Sequence, residues 1–261
     1  MSKIVLSALI SIHNEAQQLE ECLNCLGFAD EIVILLDKCT DESKEIAEKY
    51  TSQIYEGDWA LEGDRRNTGI KLCSGEWIFE VDADERVPLA LADEITKTVE
   101  TTPFDWHEVL VDNYIGKRLV RWGWGASFGK AAYPGLFRKG TKSWGAQRVH
   151  PTLEWSGRKG PMLNNRLEHY VDDNISDMLT RLDNYSTARA RDLRDAGETW
   201  GSTASNVRRL FSRFFKCYVR RMHIRQRRRR LRVLSYYLTA GRPLLCCRLP
   251  PPRLHPHRLS Y

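Results

Sequence analysis

Gly63-Asp-Arg-Arg-Asn-Thr-Gly-Ile-Lys-Leu-Cys-Ser-Gly-Glu-Trp-Ile-Phe-Glu-Val-Asp-Ala-Asp-Glu-Arg86 is the stretch on which the rest of the chain is organised. Its first half spaces Ile70, Leu72 and Cys73 as one helical face does and stops at Ser74-Gly75. Its second half, Glu76 to Val81, is short and β-rich, so the spacing predicts a helix feeding a strand. The strand ends in Asp82-Ala83-Asp84, and strand alternation predicts residues 82 and 84 on one side, where the chain leaves the sheet. Two carboxylates that close raise each other's pKa and call for a cation. A divalent Mg²⁺ or Mn²⁺, held by the carboxylates together with substrate phosphates, answers that need. A solvated acidic loop is the competing reading of so short a motif, and the surrounding sequence has to decide.

Outward from this stretch, Ile4 to Ile12 is a nearly continuous apolar run, as expected of a strand covered on both faces, and Asn14-Glu15 opens a helix. Glu31 to Leu36 is a second such run, ended by Asp37-Lys-Cys-Thr-Asp41, with helix-like Glu42 to Tyr50 behind it and a weak strand at Ser52 to Glu56. Strand and helix alternate over roughly eighty residues, which predicts βαβ units and a parallel sheet. Ligands of such sheets sit outside the carboxyl ends of the strands. That rule gathers Asn14, Glu15, Asp37, Asp41, Asp82 and Asp84 onto one rim, each just after a strand. No glycine-rich phosphate loop follows the first strand and no Walker pattern is present, which argues against dinucleotide oxidoreductases and P-loop enzymes.

The ordered series His13-Asn14-Glu15, Asp37 with Asp41, Arg66-Asn67-x-Gly69, Gly75-Glu76-Trp77-Ile78 and Asp82-Ala83-Asp84-Glu85 resembles the family-2 inverting glycosyltransferases, over roughly residues 4 to 90. Asp58-Trp59, Gly160-Pro-Met-Leu163 and Leu167-Glu-His-Tyr170 are similar to the branch that includes lipopolysaccharide-core β-glucosyltransferases. The resemblance implies an α/β GT-A fold, a mostly parallel sheet flanked by helices, with a C-terminal helical extension. It implies Asn14 and Glu15 beside the donor pocket and Asp37 and Asp41 on the nucleobase and ribose. Asp82 would meet ribose or metal, Asp84 would ligate the metal, and Arg65 or Arg66 would approach the diphosphate. His169, after a strand-like Leu163 to Leu167, resembles the late histidine that completes the metal site in some relatives; a structural histidine is the other reading.

From Thr101 to Trp155 periodicity weakens and aromatic residues concentrate. Sugars stack on rings, so an acceptor is expected here, and Trp122 and Trp124, each followed by glycine, suit an acceptor loop better than a core. His150 and Glu154 are the candidates for the base that takes a proton from an acceptor hydroxyl. Relatives often carry His-Glu where this chain has His150-Pro151, so the choice stays open.

The net charge of +6 hides a division. Residues 200–261 hold fifteen Arg, one Lys and no acidic residue, which leaves 24 basic and 34 acidic side chains, about −10, in residues 1–199. Ile175, Met178, Leu179, Leu182, Tyr185 and Leu193 trace one face of a helix capped by Asn174. Val207, Leu210, Phe211, Phe214, Phe215 and Tyr218, interleaved with Arg208, Arg209, Arg213, Lys216, Arg220 and Arg221, trace a basic amphipathic helix suited to an anionic membrane. Four arginines at 227–230 and three prolines at 250–252 predict no fixed fold in residues 227–261, which read either as a natural disordered tail or as a shifted frame. The expected organisation is a catalytic domain over 1–199, a basic helix over 200–226 and a tail over 227–261. Seven cysteines with one Cys22-x-x-Cys25 and no second pair read as free thiols. The N-terminal apolar run reads as a first strand and not a signal peptide, and no apolar stretch approaches eighteen residues.

Together these features lead to the expectation of a cytoplasmic enzyme, peripheral on the inner face of the plasma membrane. It would move a hexose, glucose from a UDP-sugar, onto a lipid-linked saccharide such as lipopolysaccharide core, with Mg²⁺ or Mn²⁺ and without nucleic acid. One rival, a sugar-phosphate nucleotidyltransferase, lacks its glycine-rich loop and lysine here. The other, a nucleic-acid-binding protein acting through the basic tail, leaves the acidic rim unexplained.

Overall fold

A computed structural model of the chain describes residues 4–121, 129–146, 152–195, 197 and 202–215. Trp122, Trp124, His150 and the tail from residue 216 onward lie outside the described residues. The first half alternates as expected: β1 (Leu6–Ile12), α1 (Ala16–Asn24), β2 (Glu31–Asp37), α2 (Ser43–Ala47), β3 (Ile54–Gly57), α3 (Glu62–Leu72) and β4 (Trp77–Val81). A two-residue β5 (Glu85–Arg86) and α4 (Leu89–Thr101) follow. Then come β6 (Trp106–Ile115), β7 (Arg118–Leu119), β8 (Ala132–Arg138), β9 (Lys142–Trp144), β10 (Leu153–Trp155) and β11 (Arg166–Asp172). The helices α5 (Ile175–Asp195) and α6 (Thr203–Phe215) come last.

Nine strands form one sheet in the order β3-β2-β1-β4-β8-β6-β11-β5, with β7 on β6; β9 and β10 form a separate hairpin. The sheet is parallel through β3-β2-β1-β4 and between β6 and β11, and antiparallel elsewhere. The expectation of a mostly parallel sheet therefore holds for one half only. A parallel pair needs a crossover of a dozen or more residues, usually a helix. Residues 102–165 contain no helix among the described residues, and the strands there turn back on their neighbours. The strand expected at Leu163 to Leu167 begins instead at Arg166, so His169 sits inside β11 and not after a strand.

The core is built on both faces of β1 and β4. Leu6, Ala8, Ile10 and Ile12 pack with Trp77, Phe79 and Val81 against α1 and α4, while Leu9 and Ile78 pack with Ile70 and Phe137 on the other face. At the edge away from the rim, buried Ser7 donates to Glu31 and accepts from the amide of Gly75, which satisfies a hydroxyl inside an apolar strand.

What positions the rim is the seat of α3. Asn67 donates to the carbonyl of Trp144 (2.8 Å) and accepts from the amide of Trp144 (2.9 Å), so one side-chain amide ties α3 to β9 as a neighbouring strand would. Gly63 approaches the hairpin so closely that a Cβ there would stand 2.3 Å from the carbonyl oxygen of Gly145. Asn67→Ala leaves both backbone groups of Trp144 without partners and should lower stability by about 1–3 kcal/mol. Urea unfolding checks this: the midpoint should fall with an unchanged m-value.

Candidate active site

The loops after β1 and β2 are locked together at the carboxyl edge of the sheet. Asn14 and Lys38 adopt left-handed backbone angles (φ 57° and 53°), and Asn14 Oδ1 accepts from the amide of Thr40 at 2.8 Å. Asp41 accepts from the first amides of both following helices, Ala16 (2.9 Å) and Ser43 (3.2 Å). Burial alone would raise its pKa, but these hydrogen bonds hold it below the usual carboxylate value. Asp41 thus holds two helix starts in place. Asp37, at the end of β2, accepts from the amide of Trp59 (3.3 Å) and pairs with Arg65 (3.1 Å), both side chains largely buried.

The Asp82-Ala83-Asp84 segment is a turn. β4 stops at Val81, the amide of Glu85 donates back to the carbonyl of Asp82 (3.0 Å), and the Glu85 carboxylate accepts from the amide of Asp82 (2.9 Å). Strand alternation therefore does not set the two carboxylates, and they take different partners. Asp82 is met by Lys130 (2.9 Å) and, at 3.7 Å, by Arg66, itself held by Glu62 and lying over the Trp144 ring. Burial would raise the Asp82 carboxyl, but Lys130 and Arg66 hold it far below the usual range. Lys130 also pairs with fully buried Glu85 (2.6 Å), whose pKa burial pushes up to about 7 despite that cation. Glu15 is raised as well, first by burial and then by the charges of Asp84, Asp82 and Asp41, which marks the rim as one electrostatic unit.

Asp84 and His169 meet because β11 pairs with β5: the register sets His169 opposite Glu85, and the amide of Tyr170 donates to the carbonyl of Asp84 (2.9 Å). His169 Nε2 then lies 3.1 Å from Asp84 Oδ2, and Nδ1 lies 2.9 Å from Asn113 Oδ1. Asn113 donates its Nδ2 to the carbonyl of Lys130 (2.9 Å), so the atom it turns to His169 is an acceptor and Nδ1 carries the hydrogen. In a neutral ring Nε2 is consequently also an acceptor, facing a carboxylate oxygen. Two acceptors at that distance need a proton or a metal cation between them. Asp84 Oδ1 is buried with no hydrogen-bond partner among the described residues, a second lone-pair donor at the same spot. The residues present therefore fit a hard divalent cation. Among the described residues no group of three or more His, Cys, Asp or Glu surrounds the position, so such an ion would draw its other ligands from water and phosphate, as Mg²⁺ commonly does.

Of the residues singled out from sequence, Glu15, Arg66, Asp82, Asp84 and His169 converge, and Asp37 pairs with Arg65 beside them. Asn14 and Asp41 serve the loop framework. Glu154 stands exposed on β10, opposite Ser143. Sequence reading missed Lys130 and Asn113. Lys130 belongs to no motif, whereas the polar pair Asp112-Asn113 in an otherwise alternating strand was a usable signal. A Cβ on Gly129 would lie 1.9 Å from Asn113 Oδ1, so only glycine lets this segment approach.

Lys130→Met leaves fully buried Glu85 without its cation, and half-buried Asp82 with Arg66 alone, and should cost about 3–5 kcal/mol. Adding Glu85→Gln should recover much of that loss, and the coupling is read from a double-mutant cycle of urea unfolding energies.

Glycosyl transferase family 2 matches residues 7–152, more than half of the chain. An uncharacterised glycosyltransferase of Rickettsia felis is 24% identical over 241 residues, 86% of this chain and 82% of the relative. The lipopolysaccharide core biosynthesis glycosyltransferase LpsC of Rhizobium meliloti is 24% identical over 210 residues, 75% of this chain and 74% of its own length. A crystal structure of S. aureus TarS 1–349 in complex with UDP is 14% identical, covering 64% of this chain and 61% of that one with a TM-score of 0.49. Because the family match runs from β1 through the turn at Asp82 and the Lys130 segment to the hairpin, this chain belongs to glycosyl transferase family 2 and is a glycosyltransferase.

Proposed function

We propose that the chain transfers a hexose, glucose from a UDP-sugar, onto a lipid-linked saccharide such as lipopolysaccharide core, with inversion at the anomeric carbon. The observation that carries the donor half is the Asp84–His169 contact, two acceptor atoms facing each other beside the cations Lys130 and Arg66. The relative named for lipopolysaccharide core biosynthesis supports the acceptor half. In this reading Asp37, braced by Arg65, hydrogen-bonds the nucleoside, with Asn14, Glu15 and Asp41 shaping the loops around it. Asp84 and His169 would hold a divalent Mg²⁺ or Mn²⁺, which supplies charge neutralisation for the departing diphosphate, while Asp82, which the family pattern also offers as a ligand, is held by Lys130 and Arg66. Lys130 and Arg66 add fixed positive charge on the same side.

The acceptor hydroxyl attacks the anomeric carbon opposite the diphosphate; the new C–O bond forms as the bond to phosphate breaks, and the proton passes to a base. His150 and Glu154 are the candidates for that base, and Trp122 and Trp124 for stacking on the acceptor. Residues 1–199 form the catalytic domain in this reading, 200–226 a basic helix and 227–261 a tail.

Membrane contact at the inner face of the plasma membrane is assigned to α6. Val207, Leu210, Phe211 and Phe215 are each about half or more exposed along one side of that helix, beside Arg208, Arg209 and Arg213. No helix among the described residues is long and apolar enough to cross a membrane.

A thermal-shift screen of nucleotide-sugars in Mn²⁺ tests the donor reading: UDP-glucose should stabilise the protein, and stabilisation by no nucleotide-sugar would remove it. Asp84→Ala should abolish transfer while the protein stays folded, and near-wild-type rates in saturating Mn²⁺ or Mg²⁺ would rule out its metal role. Asp37→Ala should weaken donor binding by roughly 1.5–3 kcal/mol, measured by calorimetry. Truncation before Gly201 leaves a body of about −10 and should release the protein from anionic vesicles while sparing turnover of a soluble acceptor analogue. Vesicle binding that survives both truncation and high salt would eliminate the membrane assignment.

A further inference from the structure

Strand β4 is buried at all five positions, and alternation sends Trp77, Phe79 and Val81 into the main core. Ile78 and Glu80 face the opposite side, so Glu80 puts a carboxylate where the pattern calls for an apolar side chain. It pairs with Lys142 at the start of β9, and both side chains are almost fully buried. The rings of Phe137, Trp144 and Trp155 surround the Lys142 ammonium at 4.6, 5.1 and 5.4 Å. Such a pair is costly unless every lone pair and proton finds a partner. Here the pair is incomplete: Glu80 Oε1 is buried with no hydrogen-bond partner among the described residues. Lys142 donates to Glu80 Oε2 and, at 3.4 Å, to the carbonyl of Pro134, which leaves the third hydrogen of its ammonium for another acceptor.

Glu80 and Lys142 line a cavity of about 200 Å³ whose walls also include Arg66, Asp82, Lys130 and Trp144. The cavity is below the roughly 300–1,000 Å³ of sites for drug-sized ligands, so it suits one sugar ring and not a nucleotide. A hydroxyl can donate to Glu80 Oε1 and accept from Lys142 at once. A phosphate cannot, because Glu80 would meet it with a second acceptor.

We propose that Glu80 and Lys142 read a hydroxyl of the donor's hexose, making the cavity beside Asp82 the sugar subsite and this pair a determinant of sugar specificity. The proposal rests on the donor reading above. On that reading Asp82, Lys130 and Arg66 would face the diphosphate, with the sugar inward from them.

The experiment is isothermal calorimetry of the full chain in Mn²⁺, with UDP and UDP-glucose as probes, on wild type, Glu80→Gln, and the double variant Glu80→Leu with Lys142→Met. The double variant replaces the ion pair by apolar side chains, an exchange that buried pairs tolerate, so a purely structural role would be rescued by it. Both variants should bind UDP within about twofold of wild type yet bind UDP-glucose about tenfold or more weakly, the value of one charge-assisted hydrogen bond. Equal changes for the two probes, no change for either, or rescue of UDP-glucose affinity in the double variant would each overturn the proposal alone. Failure of wild type to bind UDP or UDP-glucose would instead remove the donor reading, and this inference with it.

Discussion

The pairing of β5 with β11 is the constraint on which the site depends. β5 is only two residues long, yet it fastens the turn after β4 to a strand that lies some eighty residues further along the chain. Closing so long a loop is entropically unfavourable, and two strand residues contribute little against that cost. The closure is sustained from elsewhere: β11 is itself paired along its length with β6, and β6 through β8 with β4. Asp84 and His169 are brought together by the whole second half of the sheet.

The electrostatics follow from the same closure. Carboxylates from three strand ends converge on one edge and would repel one another in isolation. Lys130 and Arg66 offset that repulsion at Asp82, and nothing comparable among the described residues serves Asp84. One acidic group is held ionised by protein cations, while its neighbour two residues on is left facing a histidine. A rim of uniform composition thus acquires two distinct sides.

The parallel half of the sheet was legible because its signals are local: apolar runs of strand length, each followed by a helix start, with acidic residues at each exit. The rim residues were legible for the same reason, since a βαβ unit dictates where its strand ends lie. The antiparallel half was not, because short strands in an aromatic-rich stretch carry no clear period, and β8 takes its place between β4 and β6 only through long-range pairing. Asp82-Ala-Asp84 was read as two ends of one alternation, whereas hydrogen bonds with Glu85 make it a turn. Lys130 is a single lysine beside a glycine, and only tertiary contact distinguishes it from any other surface lysine. His169 was found, but its tautomer depends on Asn113, a partner 56 residues away.

That amide of Asn113 spans the two sides of the rim. One end holds the main chain at Lys130 and the other holds the ring of His169, and a side-chain amide cannot turn one end without turning the other. The main chain at Lys130 and the ring of His169 are therefore tied to the two ends of one side-chain amide. A ligand that draws the Lys130 segment toward itself also changes what the histidine ring can offer, and thermodynamic reciprocity requires that a cation engaging the ring alter the affinity at the lysine by the same factor.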